Sequence, residues 1–336
     1  MSVDLFALFA LALVALALAG PQLVRWSTPV LMRTPRLASA LLLGTLAVWS
    51  VAAVVLSAAL AGLAQGPQLF AGAAADVCQR CVAAASPFSA GGPVQLPVPM
   101  AVLVMLPLAG TVLMGVLAAR ALLRRAASSR SILAQVRTTG LRTVVAGHPV
   151  LLVPDRAPLA FALPRRHGGI VLSRGLMDSL TPQQLSAVLA HEQAHLSQHH
   201  HAMLAVLGAM PGPLRMIPLF DAVATTVPHL LEIAADDASR HRSGTPALAS
   251  ALLRLAEAGA APSASLSAAP GALLHATGPA GSGPDRIGHL VSPAAARSAL
   301  MPTAALAGLL AVLGGSAVVL VAPYAVLLLN GCAVPL

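Results

Sequence analysis

A chain of 336 residues that is 57% hydrophobic and only 9% charged lies far below the roughly 25% charged residues of an ordinary water-soluble domain. Its formal net charge of +9 is carried by arginine alone, since lysine is absent. Aromatic residues make up only 3%, so no rings interleave with the arginines; this argues against stacking on nucleic acid and for membrane orientation and attraction to anionic lipid.

In chain order, four stretches reach the roughly 20 apolar residues that cross a bilayer: about 5–19, 37–63, 98–119 and 303–329. The first is preceded by Asp4 and no base, unlike a signal peptide with its positive start, so it is expected to remain as an anchor. The positive-inside rule places the loop holding Arg25, Arg33 and Arg36 in the cytoplasm, and the loop 65–97, with only Asp76 and Arg80, outside. Arg120, Arg124, Arg125, Arg130, Arg137 and Arg142 then hold the next block inside. The expected organisation is three spans in 1–120, a cytoplasmic domain in 121–301, and a fourth span with a short external tail in 302–336. Both termini of this multi-pass cell-membrane protein face outward. Cys78 and Cys81 form an external C-x-x-C. With no second pair to complete a zinc site, they are expected to form a small disulfide or to stay as thiols, against a redox or sensing role.

Within the cytoplasmic block, 120–142 reads as a helix continuing from the third span. "PVLLVP" (149–154), "LAFALP" (159–164) and "GGIVLS" (168–173) are short apolar runs bounded by Pro and Gly, which predicts a sheet of about three strands. "RGLMDSL" reads as a short helix. A longer helix over 182–199 has a strong start signal: Thr181 as N-cap, Pro182 at the first position and Gln184 closing a capping box. Leu185, Leu189 and Leu196 would form its core face. The apolar stretch 201–220, broken by "MPGP" and Pro218, is expected to be an interfacial or core-packed hairpin. Helices follow at about 229–242 and 246–260. Residues 261–284 form an Ala/Ser/Gly/Pro linker, and "DRIGHL" a short helix before the last span.

The chemistry concentrates in "HEQAH". His191 and His195, at i and i+4, put two imidazoles on one helix face, able to chelate one zinc ion, while Glu192 can act as base on a water there. Catalytic zinc sites take a third protein ligand. Gln198 stands where an H-E-x-x-H-x-x-G-x-x-H motif needs glycine, so a carboxylate is required. Glu232 in "EIAAD" meets that need. Asp236, one turn on, would accept the N–H of a ligating imidazole and fix its tautomer. The chain has only three glutamates, Glu192, Glu232 and Glu257, and two fall where such a site requires them.

"LAFALPRRHGGIVLSRGLMDSLTPQQLSAVLAHEQAHL", followed by "EIAADDASRH" and "DRIGHL", resembles the integral-membrane zinc metallopeptidases of the BlaR/MecR type, the protease modules of beta-lactam sensor-transducers, over about 150–290. HtpX-like and CAAX-prenyl-protease families share the H-E-x-x-H and E-x-x-x-D motifs. The resemblance implies a predominantly α-helical membrane protein: four transmembrane helices plus an α+β zincin domain, gluzincin-like, with one zinc ion per chain. It also implies His191, His195 and Glu232 as ligands, Glu192 as general base and Asp236 behind the ligands. The chain ends seven residues after Leu329 and cannot form S-x-x-K without lysine, so no penicillin-binding sensor is expected.

Three functions follow as expectations. One is regulated cleavage of a cytoplasmic repressor or membrane partner. A second is HtpX-like clearance of membrane proteins. The third is a non-catalytic transducer with a structural metal site. Expected partners are a protein or peptide substrate, with a transcriptional repressor among the candidates, and the lipid bilayer, but not nucleic acid directly. Weaker signals are His229, His241 and Arg286 as oxyanion or substrate contacts, and His199, His200 and His201 as an extension of the metal site, against a solvated or packed run. "GGIVLS" is either an edge strand that could pair with an extended peptide or an ordinary inner strand.

Overall fold

The computed structural model describes residues 3–65, 94–95, 100–163 and 169–257, with scattered positions between 304 and 318. Helices α1 (Val3–Leu31) and α2 (Pro35–Leu63) form an N-terminal pair. Among the described residues, two helical segments are long and apolar enough to cross a membrane, Ala7–Leu31 and Pro35–Ser57. Helix α3 (Met100–Thr139) runs unbroken for 40 residues from the third apolar stretch into the arginine-rich one. Most of the expected fourth span lies outside the described residues, as do Cys78, Cys81, the linker 261–284 and Arg286.

The sheet has four strands rather than three. They are β1 (Leu141–Val145), β2 (His148–Val153), β3 (Ala160–Ala162) and β4 (Ile170–Ser173), in the spatial order β1-β2-β4-β3. The extra strand begins at the last two residues of the expected helix 120–142. Helix α3 ends just before Gly140, whose N–H donates to the Val136 carbonyl at 2.8 Å and where a Cβ would meet that oxygen at 2.5 Å, so only glycine fits. The chain then turns back through Ala146 and Gly147, both at positive φ (47° and 80°), the twist that suits a two-residue hairpin. Strand β4 pairs parallel with β2 and antiparallel with β3. "GGIVLS" is therefore an inner strand; the edges are β1 and β3, and β3 packs beside the helix carrying "HEQAH".

Because strand side chains alternate, the sheet buries both faces. Val150, Ile170 and Leu172 join Leu176, Leu185, Val188, Leu189 and Leu196 in one cluster. Leu151, Val153, Phe161 and Val171 pack with Val136 of α3 in another.

After β4 come α4 (Arg174–Ser179), α5 (Pro182–Ser197), α6 (His200–Ala209), a 3₁₀ turn (Gly212–Met216), α7 (Pro218–Ser243) and α8 (Thr245–Glu257). The start of α5 has both halves of the expected capping box, Thr181 with Gln184. The expected core face Leu185, Leu189 and Leu196 is buried.

Helix α7 begins at Pro218, eleven residues before the expected start, and continues through Pro228. The prolines in this stretch suggested breaks. Pro218 sits at the first helical positions, where a missing N–H costs nothing. The stretch 201–220 is core-packed: Leu204, Leu207, Leu219, Phe220 and Val223 share a cluster with Leu16, Val24, Leu31, Leu42 and Leu46 of α1 and α2. Phe220 meets Trp49 edge to face at 5.4 Å, and Trp49 donates its indole N–H to the Leu13 carbonyl at 3.0 Å.

Candidate metal centre

Helices α5 and α7 pack against each other, and both carry small buried residues. Ala187, Ala190 and Ala194 on α5 and Ala234 and Ala235 on α7 are all buried. Ser239, fully buried, donates its hydroxyl to the Ala187 carbonyl at 2.7 Å. This crossing brings Glu232 of α7 up to His191 and His195 of α5. His191 Nε2 and His195 Nε2 are 3.1 Å apart. Glu232 places one oxygen 3.5 Å from His191 Nε2 and the other 3.6 Å from His195 Nε2.

A tetrahedral zinc ion with bonds near 2.0–2.1 Å needs donor atoms about 3.3 Å apart; the two imidazole nitrogens are 3.1 Å apart, each has a different Glu232 oxygen at 3.5 or 3.6 Å, and one donor atom from each of the three residues lies within 4.8 Å of the others. Two imidazoles and a carboxylate also match the donor chemistry zinc takes. The residues present therefore fit the ion.

Asp236, 1% exposed, sets its Oδ1 2.9 Å from His191 Nδ1, on the opposite side of the ring from Glu232. Burial by itself lowers the His191 pKa. The contacts with Asp236 and then Glu232 outweigh burial and raise it from 6.5 to about 10. The two carboxylates on either side thus favour the protonated form of the His191 ring. Glu192 is buried next to His191 on α5.

Of the weaker sequence signals, His229 is half-buried one turn before Glu232 on α7. His241 is exposed, about 13 Å further along the helix axis at 1.5 Å per residue, and does not join the cluster. The histidine run divides in three. His199 is exposed and left-handed (φ 57°), and His201 is half-buried. His200 is fully buried, its Nδ1 2.8 Å from His195 Nδ1. Taking 199–201 as one run, solvated, packed or extending the metal site, missed this division, because a helix continued to residue 199 would have carried His200 away from His195.

Residues 144–293 match Peptidase family M48. The chain is similar to a protease HtpX homolog of Sulfurovum sp. (strain NBC37-1), 30% identical over 71 residues, which cover 20% of this chain and 26% of that protein. It is also similar to one of Campylobacter curvus (strain 525.92), 32% identical over 73 residues, 21% of this chain and 26% of that protein. Protease HtpX homolog 2 of Methanosarcina acetivorans is 39% identical over 59 residues, 17% and 20% of the two chains. The chain thus spans about a quarter of the length of the curated relatives it matches. No solved structure matches it.

Proposed function

We propose that this chain is a membrane-bound zinc-dependent endopeptidase of the M48 kind. The observation that carries the reading is the cluster of His191 Nε2, His195 Nε2 and the Glu232 carboxylate, assembled from two helices with Glu232 37 residues after His195. The M48 match and the HtpX-named relatives support it.

His191, His195 and Glu232 would hold the ion. Zinc, when bound, supplies the Lewis acidity that polarises a scissile carbonyl and makes water a competent nucleophile at neutral pH. Glu192 takes the proton from the attacking water and passes it to the leaving amine. No covalent intermediate is needed, so serine and cysteine take no part. Asp236 holds the His191 ring with its Nε2 toward the donor triangle. Strand β3 is the sheet edge beside α5 and offers main-chain groups to an extended peptide.

The substrate is a protein or peptide reached from the membrane surface on the cytoplasmic side, the orientation the arginine distribution favours. Clearance of membrane proteins is favoured by the HtpX-named relatives; regulated cleavage of a repressor or membrane partner rests on the BlaR/MecR resemblance of the motifs.

The test compares wild type with Glu192→Gln by metal analysis and by proteomics of cells carrying each. The expected result is one zinc per chain in both, with cleavage products only in wild type. Identical product patterns would remove the protease reading in favour of a transducer with a structural metal. Many membrane-protein products would indicate clearance, and a single product regulation.

A further inference from the structure

The side of His195 facing away from the donor triangle holds a second buried histidine. His200 Nδ1 lies 2.8 Å from His195 Nδ1, and both residues are fully buried. The other ring nitrogen of His200, Nε2, lies 3.1 Å from Gln198 Oε1. On a continuous helix a residue five positions on is turned by about 140°, so His200 would point away from His195. The chain avoids this by ending α5 at Ser197, placing His199 in the left-handed region and starting α6 at His200. His is among the non-glycine residues that tolerate that conformation best.

The order of protons along this chain follows from donor chemistry. An amide oxygen can only accept, so His200 Nε2 carries the hydrogen and donates it to Gln198. In a neutral imidazole the other nitrogen is then a bare acceptor, so His200 Nδ1 accepts from His195 Nδ1–H. That leaves the lone pair of His195 on Nε2, the atom 3.1 Å from His191 Nε2 and 3.6 Å from Glu232.

We infer that His200, seated by Gln198, is a positioning residue that fixes the tautomer and ring orientation of His195 for metal binding. It does for His195 what Asp236 does for His191, with a neutral group in place of a carboxylate. The inference rests on the metal-centre reading above.

The experiment uses the full chain in detergent micelles, measuring zinc affinity by chelator competition and the absorption spectrum of the cobalt-loaded protein. Replacing a group behind a ligating histidine typically lowers metal affinity 10- to 100-fold, which is the loss expected for His200→Leu. His200→Asn places an amide oxygen where Nδ1 stands. It should keep affinity within about threefold of wild type, with a cobalt spectrum that superimposes on it.

The inference is overturned if His200→Leu binds zinc as tightly as wild type, or if His200→Asn is as weak as His200→Leu. A cobalt spectrum that changes band position in His200→Asn would make His200 a ligand and also overturn it. Should His200→Leu fail to fold, Gln198→Leu carries the test: lowered affinity supports the inference and unchanged affinity removes it. If wild type takes up neither zinc nor cobalt, the metal-centre reading itself fails, an outcome distinct from the rest.

Discussion

His191 sits between Asp236 and Glu232 with its pKa raised to about 10, and this couples the centre to pH in two ways. In the metal-free protein the raised value makes the charged ring a source of stability. That contribution is complete below about 6.5, the ordinary histidine value, and is lost as pH rises through 10. A metal ligand must give up its proton, so zinc uptake near pH 7 is expected to release about one proton from His191. Calorimetric titration in buffers of different ionisation enthalpy measures that number, and a value of zero at pH 7 would contradict the arrangement. Asp236→Asn removes the charge that faces His191 Nδ1 and is expected to weaken zinc binding about 10- to 100-fold, read by chelator competition. The meeting of these residues was legible in the sequence because spacing puts His191, His195 and the 232/236 pair on helix faces. His200 was not, because its place depends on one left-handed residue, His199, that no periodicity announces.

Elements were legible where their boundary chemistry is local. Thr181, Pro182 and Gln184 mark the start of α5 and form the capping box there. Where a boundary depends on tertiary contact, the pattern misleads. Strand β1 looks like the end of an arginine-rich helix, and its turn is Ala146–Gly147 rather than the Asn-Gly that advertises a hairpin. Ala146 is exposed with φ 47°, a conformation an alanine adopts at a cost of about 1–2 kcal/mol. Ala146→Asn is expected to stabilise the hairpin by about 0.5–1 kcal/mol, seen as slower amide exchange in β1 and β2; faster exchange would count against the assigned turn. The α5–α7 crossing gives the opposite expectation. Ala187 is fully buried with its carbonyl bonded to Ser239, so Ala187→Leu should cost about 1–3 kcal/mol by overpacking. The Ala187 side chain packs with Leu248 of α8 and its carbonyl holds Ser239 of α7, so the added bulk should also loosen α7 and lower zinc occupancy. Unchanged occupancy in a destabilised variant would show that the two helices do not set the triangle.

At the scale of the molecule, α7 joins two regions that the sequence pattern kept apart. Its first half, from Leu219 through Leu231, lies in the cluster formed with α1 and α2, and the next residue is Glu232. Phe220 against Trp49 and Glu232 against the histidines are thus about 18 Å apart on one helix at 1.5 Å per residue. The composition indicated membrane helices and the motifs indicated a metal site. Neither could indicate that the same helix is the wall of both, because "MPGP" and Pro218 read as breaks and masked its length. The consequence is that the apolar N-terminal pair is part of the support of the centre and more than an anchor. A chain lacking residues 1–63 would expose Leu219, Phe220, Val223, Val227 and Leu230, all now buried, a patch far too apolar to leave in water. It is expected to aggregate without detergent and, in detergent, to hold well under one zinc per chain, because the half of α7 that orients Glu232 has lost its packing. Metal-to-protein ratio and near-ultraviolet circular dichroism of the shortened chain against the full one measure this. A shortened chain that is monodisperse in water and fully loaded would show that the sheet and α5 hold Glu232 without the membrane helices. Phe220→Ala in the full chain separates the two contributions, since it leaves both helices in place while removing the aromatic contact. A loss of about 3–5 kcal/mol in stability together with reduced zinc occupancy would place the coupling in α7 itself. Reduced stability with full occupancy would confine that contact to the packing of the apolar helices.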